Sequence, residues 1–176
     1  DLLRGFDAVE FKKRTETIQV AMAQEGLEGL LLMNEAEVRY FSGFHTPFWQ
    51  SPTRPWFLFV PVEGAPVAVI PEIGAALMRT TWIEDIRTWA APNPKDDGMS
   101  LLYDLLAPLG KRQSTLGVMK GHETQFRMPL SDWERLIARL KGLKVKDATK
   151  IVQAARMVKS EAEIEKLTHI CRIGSA

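Results

Sequence analysis

The segment that most constrains this chain is residues 29–33, Gly29-Leu30-Leu31-Leu32-Met33, a run without a polar side chain. It is too short for a buried helix, and it has no side that tolerates water. A strand of this kind needs cover on both faces. Short apolar runs recur at residues 56–61, 66–70 and 115–119, and the stretches between them carry helical periodicity. The alternation predicts an α/β fold, a mixed β-sheet flanked by α-helices. The sheet is mixed because residues 56–61 and 66–70 read as a hairpin turning at 62–65.

Local signals place the helices. Residues 7–25 form an amphipathic helix with Asp7 as N-cap, Glu10 as capping-box partner and Gly26 as stop, and Phe11, Ile18 and Met22 share one face. Residues 73–81 read as helical, 83–90 as extended and 92–98 as a surface connection. Residues 99–109 present Leu101, Leu102, Leu105, Leu106 and Leu109 before Gly110. Ser131 and Glu134 predict a capping box for a helix ending near Leu140, and 143–148 alternates like a half-exposed strand. A second capping box, Ser160 with Glu163, opens a last helix whose Ile164, Leu167 and Cys171 fall on one face. That face predicts a buried, inert Cys171. An apolar stripe left open at Ala176 further predicts the front part of a longer protein.

Composition narrows the function. The 176 residues suit one domain with a real core. Lys and Arg number 23 against 22 Asp and Glu, a formal charge of +1 that argues against a dedicated nucleic-acid binder. No apolar run approaches the roughly 18 residues of a membrane span. The start lacks a basic-then-apolar secretion signal, and a single cysteine forms no intrachain disulfide. A cytoplasmic protein with no membrane partner is expected.

Chemistry is sparse. His45, His122 and His169 lack metal-ligand spacing, His122-Glu123 reads as a surface pair, and His169 as solvated. No glycine-rich phosphate loop follows a strand, which disfavours a nucleotide-binding domain. Residues 43–55 (GFHTPFWQSPTRP) read as a loop without periodicity, and the one site-like segment is His45 to Trp56. It gathers His45, Phe48, Trp49, Arg54 and Trp56 among prolines. Arg54 can present a planar fork to a carboxylate, and the rings can stack on a small apolar group. In the opposing reading the rings fold back onto the core and Arg54 makes an ordinary ion pair. The residues alone leave both readings open.

Three stretches in order, residues 38–44 (VRYFSGF), 54–60 (RPWFLFV) and 156–164 (RMVKSEAEI), preceded by 26–32 (GLEGLLL), resemble the N-terminal domain of the creatinase, prolidase and aminopeptidase P superfamily. The resemblance covers nearly the whole chain. It implies an N-terminal domain over residues 1–158 and a linking helix over 159–176. A C-terminal pita-bread catalytic domain would follow, whose Asp, His and Glu ligands hold a pair of divalent metal ions (Mn, Co or Zn). It also implies a homodimer in which this domain borders the active site of the other subunit, and a small peptide or amidino-compound substrate. By position, Arg54 would meet the substrate carboxylate, with Phe48 and Trp49 closing over the site and His45 and Trp56 beside them. The alternatives are a creatinase-like amidinohydrolase or lyase as parent, or a stand-alone small-ligand binding module. One departure is Met119, where many relatives carry Glu.

Overall fold

The computed structural model describes residues 5–51 and 54–175. Pro52 and Thr53, counted in the aromatic loop above, lie outside the described residues, as do residues 1–4 and Ala176. Helix α1 (Ala8–Gln24) begins where Asp7 accepts the Glu10 amide at 2.9 Å. Strand β1 (Gly29–Leu32) runs into α2 (Glu35–Ser42). Strands β2 (Phe57–Pro61) and β3 (Val67–Pro71) form the hairpin; α3 (Ala75–Met78) and β4 (Asp85–Trp89) follow. Then come α4 (Met99–Lys111), β5 (Thr115–Val118), α5 (Leu130–Arg139), β6 (Lys144–Asp147), α6 (Thr149–Met157) and α7 (Glu161–Gly174).

The six strands lie in the order β4-β3-β2-β1-β5-β6. β2 is antiparallel to both β1 and β3, and the other pairs are parallel, so the sheet is mixed as the sequence predicts. β1 is central, with Leu30 opposite Val60 on one side and Gly117 on the other. The alternation of a strand then sorts its side chains. Leu30 and Leu32 join Ile18, Met22, Val38, Phe41, Val60 and Val152 under α1, α2 and α6. Leu31 and Met33 join Phe59, Leu102, Leu106, Leu109, Leu116 and Leu136 under α4 and α5. The apolar run therefore has the two-sided cover it demanded. Gly29 is glycine for space: a Cβ there would lie 2.4 Å from the Phe59 ring.

Several elements differ from the sequence reading. α2 and α6 carry no strong start signal; Asn34 makes no side-chain cap bond and Ala148 cannot. The stretch 73–81 holds only a short 3-10 turn and the four residues of α3. α5 starts at Leu130 behind Pro129, so Ser131 is already inside the helix and caps nothing. Cys171 is exposed, not buried, because nothing in the described residues covers its face of α7. Met119 is buried in the first core layer, in keeping with a more apolar strand end.

The last helix is tied down at its first turn. Ser160 and Glu163 complete their capping box, and the Ser160 hydroxyl also donates to Glu10 at 2.7 Å. Glu10 is thereby drawn from its own capping box into an ion pair with Arg14 at 2.8 Å. Arg14 is buried between the rings of Phe6 and Tyr40, 4.2 and 4.3 Å from their centroids, and reaches Glu163 at 3.4 Å. Tyr40 donates its hydroxyl to the Ala155 carbonyl at 2.9 Å, and Arg156 pairs with Glu37 at 2.7 Å. Beyond this knot Ile164, Leu167, Ile170 and Ile173 are all at least half exposed.

Asp147 substitutes for the missing cap of α6. Its Oδ1 accepts the Thr149 hydroxyl at 2.5 Å, the Thr149 amide at 3.0 Å and the Lys120 amide at 3.3 Å. The Thr149 hydroxyl foremost, with those amides, holds the carboxyl below the usual Asp range against a smaller opposing effect of burial. A lowered folded pKa stabilises above the unfolded pKa, and that contribution disappears as pH falls through the folded value. Asp147→Ala should therefore cost about 1 kcal/mol at neutral pH. Its difference from the parent in urea midpoint should shrink as pH is lowered to about 3. A gap that stays constant with pH would show that the ionised carboxylate is not the stabilising species.

Candidate functional site

The aromatic loop leaves the end of α2 and leads to the start of β2, where Leu58 pairs with Leu32 at the end of β1. Gly43 closes α2 in the left-handed region, φ +78, and its amide donates to the Arg39 carbonyl at 2.8 Å. A Cβ there would also press 2.7 Å from the Phe11 ring. The Ser42 hydroxyl accepts the Phe44 amide at 3.0 Å and sends Phe44 inward. Thr46 then caps a 3-10 turn, Pro47–Gln50, that carries Phe48 and Trp49. This geometry divides the rings. Phe44, Trp49 and Trp56 are buried together, with Trp56 5.4 Å from Phe44 and 5.8 Å from Trp49. Phe48 stacks on the outer side of that group, 6.4 Å from Trp56 with an interplanar angle of 11°, and is 41% exposed.

The sequence-predicted residues are thus brought to one place but do not share one role. Trp49 and Trp56 spend their faces on the core, as the opposing reading held for the rings. Phe48, His45 and half-buried Arg54 are the members open to solvent. Arg54 makes no ion pair among the described residues, unlike the ordinary salt bridge the opposing reading assigned it. His45 Nδ1 lies 3.3 Å from the Glu35 carboxylate, both groups exposed.

Sequence reasoning missed Arg127. It comes from the connection between β5 and α5, far from the loop in sequence. Its guanidinium donates to the Ser51 carbonyl and lies 5.2 Å from the Trp49 ring centroid. Burial pushes its pKa down, with the Glu35 charge acting the other way. The only signal in the sequence is an arginine between two apolar residues, Phe126 and Met128. Among the described residues no three or more His, Cys, Asp or Glu side chains group as metal ligands. Arg54 and Phe48 present a cation and a ring to solvent at this place, and the described residues of the loop supply no nucleophile–base pair.

Comparison with known proteins agrees with this architecture. The Creatinase/Prolidase N-terminal domain matches residues 14–158. The chain is 26% identical over 168 residues to a protein named "Probable dipeptidase PepE" from Mycobacterium tuberculosis, covering 93% of this chain and 40% of that one. It thus spans about two fifths of the curated relatives it matches. Dipeptidase PepE from Mycobacterium ulcerans superposes with a TM-score of 0.66 at 24% identity, over 92% of this chain and 40% of that one. The Creatinase/Prolidase N-terminal domain of an X-Pro dipeptidase from Streptococcus pyogenes gives 0.61 at 16% identity, over 81% of this chain and 98% of that one. The matched span takes in both core layers and the aromatic loop, and the chain belongs to the creatinase/prolidase N-terminal domain family.

Proposed function

We propose that this chain is the non-catalytic N-terminal domain of a metal-dependent Xaa-Pro dipeptidase. It serves dimerisation and substrate gating at the active site of the neighbouring subunit. The observation that carries the reading is the match to dipeptidase relatives over 93% of this chain and only 40% of theirs. The missing share of the relatives is the natural home of the catalytic centre. The described residues do not fit a divalent metal pair, so the implied Mn, Co or Zn ions are assigned to a C-terminal domain, and no metal step is derived for this chain. The open apolar stripe of α7, Ile164 through Ile173, is the surface that such a domain would cover. No helix of the described residues is long and apolar enough to cross a membrane, and a similar solved domain is named cytoplasmic peptidase PepQ. The name of that relative supports a cytoplasmic location. The curated relatives are named "Probable dipeptidase PepE", which gives no support to an amidinohydrolase or lyase parent or to a stand-alone module.

In this reading Arg54 holds the carboxylate end of a small peptide and Phe48 shields it from water. A charge-assisted contact of this type is worth about 1.5–3 kcal/mol. Arg54→Ala in the full-length protein is therefore expected to raise KM for an Xaa-Pro dipeptide about 10- to 100-fold with a smaller change in kcat. Unchanged kinetics on the best dipeptide would remove Arg54 from the site.

A further inference from the structure

We infer that Arg127 is a positioning residue of the candidate site, setting the placement of Arg54 and Phe48 through its grip on Ser51 and Trp49. The inference rests on the dipeptidase reading above.

Arg127 touches the loop at two places that lie between its functional side chains, Phe48 and Arg54. Trp49 is the neighbour of Phe48, and Ser51 lies three residues before Arg54. The contact joins the connection that leads into α5 to the aromatic loop. No carboxylate of the described residues pairs with Arg127. Its Nε and the Nε1 of Trp49 are buried donors without acceptors among the described residues. Unpaired buried donors cost stability, and an apolar side chain would fill the same space without that cost. An arrangement that tolerates both is one in which the planar fork does something besides filling. Here it does two things at once: it donates along its plane to a carbonyl and lays that plane near an indole, a combination unavailable to lysine.

The test is a double-mutant cycle in the full-length protein, with KM and kcat read on an Xaa-Pro dipeptide. Arg127→Met is expected to raise KM about tenfold while kcat falls less than about twofold. In the Arg54→Ala background the same change is expected to add less than about twofold, because its effect passes through Arg54. Arg127→Lys keeps the charge without the fork and is expected to follow the Met variant; it carries the test alone if the Met variant does not fold. Wild-type KM in the Lys variant, or an Arg127 effect that multiplies in full with that of Arg54, overturns the inference and leaves the dipeptidase reading standing. A silent Arg54→Ala, or no dipeptide turnover by the parent, overturns both.

Discussion

Trp56→Ala is expected to lower the stability of this domain by about 3–5 kcal/mol, the range for removing a buried large aromatic ring. In a chain of this size that is a fall in Tm of roughly 6–20 °C. Trp56 is 1% exposed and sits where three other rings meet. Its six-membered edge also fills the space above Gly74, where a Cβ would lie 2.3 Å away. Its neighbours should close such a void only in part, since the Phe44 amide is tied to the Ser42 hydroxyl and Trp49 sits in the 3-10 turn. Trp56→Phe, which retains much of the ring volume, should lose less. Thermal melting of the three proteins decides the matter. A Tm for the Ala variant within about 2 °C of the parent would mean that the ring is not core and remains available to a ligand.

Arg14→Met is the second large effect, and it acts by charge rather than by volume. Methionine preserves much of the stem between Phe6 and Tyr40. It removes the cation facing Glu10 and Glu163, and the donor that reaches the Tyr40 carbonyl at 2.9 Å. Those two carboxylates are mostly buried and would then keep the neutral donors of Ser160 but lose the Arg14 charge between them. Breaking a buried pair from one side costs about 3–5 kcal/mol. The loss should fall first on α7, whose opening turn hangs on this knot through Ser160. Hydrogen exchange at the amides of α7 is expected to accelerate more than exchange in β1 and β2. Equal acceleration in both would show that Arg14 serves the whole fold and not the seating of the last helix. Glu163→Gln, which keeps an acceptor, should do less harm.

The four inner strands were legible because they are nearly all apolar; the edge strands β4 and β6 are polar, and they were legible only from the extended reading of 83–90 and the alternation of 143–148. The capping boxes were legible only in part. Ser160 and Glu163 behave as written, but Glu10 leaves its box for Arg14, and Ser131 is overruled by Pro129, which starts α5 two residues early. α2 and α6 escaped because tertiary cover stabilises them and their caps are weak, so neither carries a strong local signature. In the site, the list of aromatic residues was right in membership and silent on direction. Whether Trp49 and Trp56 point in or out depends on Gly43 and Ser42, which steer the chain before the loop begins. Arg14 and Arg127 were invisible for a related reason. Each acts on segments far away in sequence, and spacing along the chain carries no record of such partners.

The position of β1 between β2 and β5 has a consequence for biosynthesis. On the β2 side its partner follows closely, so that ladder can form while the polypeptide is still emerging from the ribosome. On the other side the partner of Leu30 is Gly117, and until it arrives β1 presents an open, wholly apolar edge. Nascent chains halted between those two points carry the template for strand-to-strand aggregation, and are the species for which a chaperone has most to do.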